Sequence, residues 1–77
     1  MLLDMILFLG ANCPQCEALK RRVDLTAVPV LTIIHTDSPD GLAESDFYDV
    51  LAVPTLVLDG GKLVTDMEAI VAQLKAT

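Results

Sequence analysis

The apolar and polar positions alternate in stretches that change period along the chain, and each change marks an element. Met5 to Leu9 (MILFL) is an unbroken apolar run that stops at Gly10, the pattern of a central strand covered on both faces. From Pro14 to about Asp24 the period becomes helical. Ala18, Leu19 and Val23 share one side, Pro14 suits a first-turn position, and Lys20, Arg21 and Arg22 suit the last turn. Val28 to Ile34 (VPVLTII) is a second β-branched run, so a β-α-β unit with parallel strands and a right-handed crossover is expected.

Ser38-Pro39-Asp40-Gly41 reads as a turn, followed by a helix over Leu42 to Leu51 with Phe47, Val50 and Leu51 facing inward. Thr55 to Leu58 and Lys62 to Thr65 flank Asp59-Gly60-Gly61, a hairpin signature. Thr65-Asp66-Met67-Glu68 has the form of a capping box, and Met67, Ile70, Val71 and Leu74 follow at helical spacing. The expected order is β-α-β-α-β-β-α, an α/β unit with a four-stranded mixed sheet and helices on both faces. No repeat or linker interrupts it, so residues 1–77 are expected to form a single domain.

The chain has 77 residues, close to the size at which a hydrophobic core alone is marginally stabilising, and its 53% apolar content favours a packed structure over disorder. The net charge of −6, with only Lys20, Arg21, Arg22, Lys62 and Lys75 positive, provides no basic stripe for nucleic acid. The apolar opening from Met1 to Leu9 lacks a positive flank and a small-residue cleavage site, and it is far shorter than a membrane span. It reads as a strand, and a cytoplasmic protein without membrane attachment is expected.

Both cysteines of the chain stand in Cys13-Pro14-Gln15-Cys16, where the first strand meets the first helix. Two cysteines so close in sequence cannot staple distant parts of a fold, which directs attention to redox chemistry. Only a thiolate attacks a disulfide, and a helix N-terminus favours negative charge through its unpaired N–H groups and macrodipole. Cys13 is therefore the candidate nucleophile, and Cys16, one turn further in, the candidate resolving thiol. Pro14 helps fix the turn between them, with Gln15 completing the motif.

This motif between a first strand and a first helix resembles the thioredoxin superfamily. Tyr48-Asp49-Val50-Leu51-Ala52-Val53-Pro54-Thr55-Leu56-Val57-Leu58 is similar to the stretch that carries the family's cis-proline, so the likeness spans nearly the whole chain. Cys-Pro-x-Cys and the short length look like glutaredoxins, whereas Val53-Pro54-Thr55-Leu56 looks like thioredoxins. Gln15 replaces an aromatic residue usual in glutaredoxins, no basic residue precedes Cys13, and Thr65-Asp66 stands in place of a Gly-Gly pair that helps hold glutathione. Against thioredoxins, Asn12 replaces a tryptophan and Leu7 a buried aspartate.

The resemblance implies the thioredoxin fold and a cis Val53-Pro54 bond beside the cysteines, with the Val53 backbone pairing an extended substrate segment. It further implies a monomeric thiol:disulfide oxidoreductase that reduces protein disulfides, needs no bound cofactor, and takes electrons from a thioredoxin-reductase-type donor. A glutathione-dependent glutaredoxin is one alternative.

The other is a non-catalytic module whose cysteine pair holds a metal or cluster in a dimer. A zinc site needs about four ligands, and this chain offers one cysteine pair and His35, which is expected at a strand end. The basic run Lys20-Arg21-Arg22 is expected from the helix dipole, with a docking patch as its alternative. Asp37, Asp40, Glu44, Asp46 and Asp49 are expected on a solvated face, where they would steer partners.

Overall fold

A computed structural model describes residues 4–76, so residues 1–3 of the apolar opening and residue 77 lie outside the description. Its strands are β1 (Met5–Leu9), β2 (Leu31–His35), β3 (Thr55–Val57) and β4 (Leu63–Val64). Its helices are α1 (Pro14–Arg22), α2 (Pro39–Phe47) and α3 (Met67–Lys75), with a 3-10 turn at Leu25–Ala27. The sheet order is β2-β1-β3-β4. β1 runs parallel to β2, with Met5 opposite Leu31, and antiparallel to β3, with Leu7 opposite Leu56. β3 and β4 form the expected hairpin, closed through Gly60 and Gly61 at positive φ.

Side chains alternate across β1 and so feed two layers. Met5, Leu7, Leu9 and Leu56 join Leu19 of α1 and Ile70, Val71 and Leu74 of α3 in one buried cluster. Phe8 points the other way, where its ring lies 6.1 Å from that of Tyr48, just past α2. Helices therefore cover both faces, as the periodicity required. α1 and α3 are tied at the surface by Arg22, whose Nη1 and Nη2 donate to Oε2 and Oε1 of Glu68.

Several boundaries differ from expectation. β2 begins at Leu31 rather than Val28 because Val28 to Leu31 closes a turn, with the Leu31 N–H donating to the Val28 carbonyl at 3.3 Å. Pro29 lies inside that turn, where it has no ladder hydrogen bond to donate. α1 ends at Arg22, with Val23 already extended as its C-cap.

α2 starts within the expected turn. Ser38 is its N-cap, accepting from Gly41 N at 3.0 Å, and Pro39 is its first residue. The helix then stops at Phe47, four residues early, in a Schellman arrangement. The Val50 N–H donates to Ser45 O at 2.8 Å and the Asp49 N–H to Asp46 O at 3.2 Å, with Asp49 at φ 58 in the slot usually held by glycine. The helix accordingly presents Gly41 and Ser45 inward. Phe47 and Leu51, expected in the core, are 77% and 96% exposed, and Val50 is half-buried. Gly41 is obligatory for this packing, since a Cβ there would stand 1.8 Å from the His35 carbonyl oxygen.

At α3 the cap is Asp66, accepting from Ala69 N at 3.0 Å, in place of the expected Thr65 capping box. Glu68 instead turns to Arg22. Ile70, Val71 and Leu74 are buried as expected, and Met67 is half-buried against the cluster.

Candidate active site

β1 delivers the chain to one end of the sheet at Leu9, and four residues turn it into α1. Gly10 permits a close approach, because a Cβ there would sit 3.0 Å from Val53 Cγ2. Asn12 takes a positive φ of 51, a conformation asparagine tolerates better than most residues. Cys13 is thereby left as the N-cap of α1, in extended backbone, with Pro14 at the first helical position.

The Cys13 sulfur occupies the place of a capping oxygen, accepting from Cys16 N at 3.1 Å. Cys13 and Cys16 are joined as a disulfide with Cα atoms 5.2 Å apart. Their surroundings differ: Cys13 is half-buried, while Cys16 is 0% exposed and belongs to the apolar cluster. Leu7 is equally buried in that cluster, and the buried polar residues among those described are only Ser45 and Thr55. Among the described residues, no carboxylate lies within the core to take a proton from a reduced Cys16.

The Val53-Pro54 bond is cis, as the resemblance implied. It brings the Val53 carbonyl oxygen to 3.8 Å from Cys13 Sγ, linking residues forty positions apart in sequence. Pro54 is buried and Val53 half-buried. Thr55 holds the bend from inside, its Oγ1 donating to the Ala52 carbonyl at 2.6 Å. Exposed Gln15 lines a groove of about 300 Å³ together with Val53, Pro54, Thr65, Asp66 and Met67. All six residues singled out in the sequence, Cys13, Pro14, Gln15, Cys16, Val53 and Pro54, therefore meet at one end of the sheet.

Gly10, Asn12 and Thr55 escaped the sequence reading as parts of the site. The signals for the first two were present: a glycine closing an apolar strand, and an αL-tolerant asparagine before a helix cap. Thr55 carried only its place in the thioredoxin-like Val53-Pro54-Thr55-Leu56 stretch, since a threonine at a strand start is otherwise ordinary.

The other candidates lie elsewhere. His35 ends β2, exposed, as expected. Lys20 pairs with Glu17 of its own helix at 3.0 Å, and Arg22 with Glu68 of α3, so two members of the basic run are engaged in structural ion pairs. Hydrogen bonding from Arg22, and then its charge, hold the Glu68 carboxyl below the usual glutamate range. Among the described residues, no group of three His, Cys, Asp or Glu side chains is placed to hold a metal ion, and no helix is long and apolar enough to cross a membrane.

A β2-β1-β3-β4 mixed sheet with a helix-capping disulfide facing a cis-proline loop is the thioredoxin fold. The chain superposes on mitochondrial thioredoxin 3 from Saccharomyces cerevisiae, in its oxidised form, with a TM-score of 0.63 at 20% identity, covering 97% of this chain and 78% of the yeast protein. A thioredoxin from Thermus thermophilus superposes with a TM-score of 0.61 at 18% identity, covering 96% of this chain and 72% of that one. No protein-family model and no curated protein sequence matches the chain. At such identities the likeness is one of fold, and the chemistry is argued from the residues.

Proposed function

We propose that this protein is a thiol:disulfide oxidoreductase that reduces protein disulfides in the cytoplasm, as a monomer without a bound cofactor. The observation that carries this reading is the Cys13 sulfur in the N-cap slot of α1, accepting the Cys16 N–H and lying beside the Val53 carbonyl. The amide hydrogen bond and the helix terminus both favour a thiolate there over a thiol.

Starting from the dithiol form, the Cys13 thiolate attacks one sulfur of the substrate disulfide. A Cys13–substrate bond forms, the substrate S–S bond breaks, and the first substrate sulfur departs as a thiolate. With no carboxylate buried beside Cys16 among the described residues, this departing thiolate is the base at hand, and it takes the Cys16 proton. The Cys16 thiolate then attacks Cys13 Sγ, closing the Cys13–Cys16 disulfide and releasing the second substrate thiolate, which is protonated by water. Two electrons pass from the dithiol to the substrate. The Val53 backbone, presented by the cis bond, pairs with the extended segment around the substrate cysteine.

A flavin-dependent thioredoxin reductase is the proposed electron source. Reduction of insulin disulfides tests the reading, with wild type, Cys13→Ser and Cys16→Ser supplied either by NADPH plus that reductase or by NADPH plus glutathione and its reductase. Turnover is expected with the first supply and is abolished by Cys13→Ser, while Cys16→Ser accumulates a mixed disulfide on Cys13. Turnover with glutathione alone would replace the proposed donor. Absence of turnover with either supply would overturn the reading.

A further inference from the structure

The net charge of this protein is not spread over its surface. Residues 36–61 contain six carboxylates and no basic side chain, whereas the five acidic and five basic residues elsewhere cancel, so this segment accounts for the whole net charge of −6. It comprises α2, the loop that leads to the cis-proline, β3 and the hairpin turn, and all six carboxylates are exposed, five of them on or beside α2 and Asp59 in the turn.

The same segment displays large apolar side chains. Leu42 is 63% exposed and Leu51 96% exposed, the latter more than any other large apolar residue described. They share a groove of about 240 Å³ with Ser45, Val50 and Val53. Val53 also carries the carbonyl 3.8 Å from the Cys13 sulfur, so the groove begins where the redox site ends. Asp46 lies one helical turn beyond Leu42, Asp49 adjoins Val50, and Asp37 adjoins Thr36 on the groove wall.

We infer that this groove docks a protein partner bearing a large apolar side chain ringed by lysine or arginine, positioned next to the partner's disulfide. An exposed apolar anchor within a one-sign charged rim is the arrangement in which burial supplies affinity and charge supplies orientation and encounter rate. The sign selects the partner. A second copy docking face to face would bring two sets of carboxylates together with no basic side chain from residues 36–61 to answer them, and an anionic membrane would be repelled, whereas a basic protein is drawn in. The inference rests on the disulfide-reductase reading for its purpose and on the groove alone for its binding.

The test uses two peptides that share one leucine and one mixed-disulfide cysteine, one flanked by lysines and the other by glutamates. Pre-reduced protein is mixed with each, and the exchange rate is compared with that for hydroxyethyl disulfide, which is too small to span the groove. The lysine peptide is expected to react about tenfold faster than the glutamate peptide at low salt, with the preference collapsing at high salt. The Asp37→Lys/Asp46→Lys variant should lose the preference, and Leu51→Ser should slow the lysine peptide toward the rate of the glutamate peptide. Both variants should leave the hydroxyethyl disulfide rate unchanged.

In parallel, cysteine-free versions of the peptides are titrated into oxidised, isotope-labelled protein. Amide shifts are expected at Leu42, Ser45, Leu51 and Val53 with the lysine peptide only. Equal rates for the two peptides overturn the docking inference while sparing the redox reading, provided hydroxyethyl disulfide is still reduced. Failure to reduce any disulfide, with the amide shifts intact, overturns the redox reading and spares the groove. Shifts that appear on concentrating the protein alone would assign the face to self-association and overturn the inference.

Discussion

The two faces of the sheet are built on different plans. Beneath α1 and α3, large side chains meet large side chains, and Leu7, Leu19, Leu56 and Ile70 are all 0% exposed. Beneath α2 the contact is made by small residues. Gly41 and Ser45 bring the helix backbone close to β2, Phe8 reaches up to Tyr48, and Leu42, Phe47 and Leu51 are turned to solvent. Burial of apolar area dominates stability, so the first face carries most of it. That face also holds Cys16 and the start of α1, while the second holds the exposed apolar groove flanked by carboxylates. The rigid half positions the chemistry, and the thinly packed half is left available for contact.

A second contrast lies among the helix starts. Cys13, Ser38 and Asp66 each accept from the amide three residues on, at 3.1, 3.0 and 3.0 Å. One structural slot is used three times, and only at α1 does its occupant also break and form covalent bonds.

The largest expected effect tests the first contrast. Leu7→Ala should cost about 2–5 kcal/mol by urea denaturation, the range for opening a cavity in a closed apolar cluster. A loss below about 1 kcal/mol would show that the α1/α3 face relaxes around the gap and that the contrast is overdrawn.

Gly41→Ala comes next, at about 1–3 kcal/mol, because its Cβ meets backbone that cannot give way. It should loosen α2, seen as faster amide exchange there, while hydroxyethyl disulfide reduction persists. Loss of that reduction would mean that the two faces are not separable.

The second contrast predicts that reduced Cys13→Ser keeps its cap and its stability, whereas Cys13→Ala loses about 1 kcal/mol relative to it. Equal stability of the two variants would deny the capping role.

The smallest effect is electrostatic. Because Arg22 lowers the Glu68 carboxyl, the pair stabilises the fold above the ordinary glutamate range, and this contribution is lost as pH falls toward the lowered folded value. The difference in urea midpoint between wild type and Glu68→Gln should therefore be greatest near neutral pH and vanish in acid. A difference independent of pH would exclude the ion pair as its source.

Much of this was already legible in local patterns. The Pro14 helix start and the i, i+3, i+4, i+7 run of α3 each combine propensity with one-sided burial, MILFL combines it with burial on both faces, and in each the signals agree. The cysteine pair was legible because two residues of one reactive type stand at one-turn spacing. Leu42 to Leu51 misled for the converse reason. An apolar residue at helical spacing suits a core or an exposed groove equally, and period alone does not say which side another element will cover. Ser38-Pro39 is likewise both a turn signal and a helix cap, and the neighbouring strand decided between them.

Local order therefore followed from residue preferences that act over one or two turns: the strands, most helix starts, the hairpin and the redox motif. Contacts between distant segments required the assembled sheet. The approach of Val53 to Cys13, the need for glycine at 41 beneath His35, and the exposure of Leu42 and Leu51 beside the site depend on distances set by packing. No short-range preference encodes such distances, because they are the joint result of every element that shares the sheet.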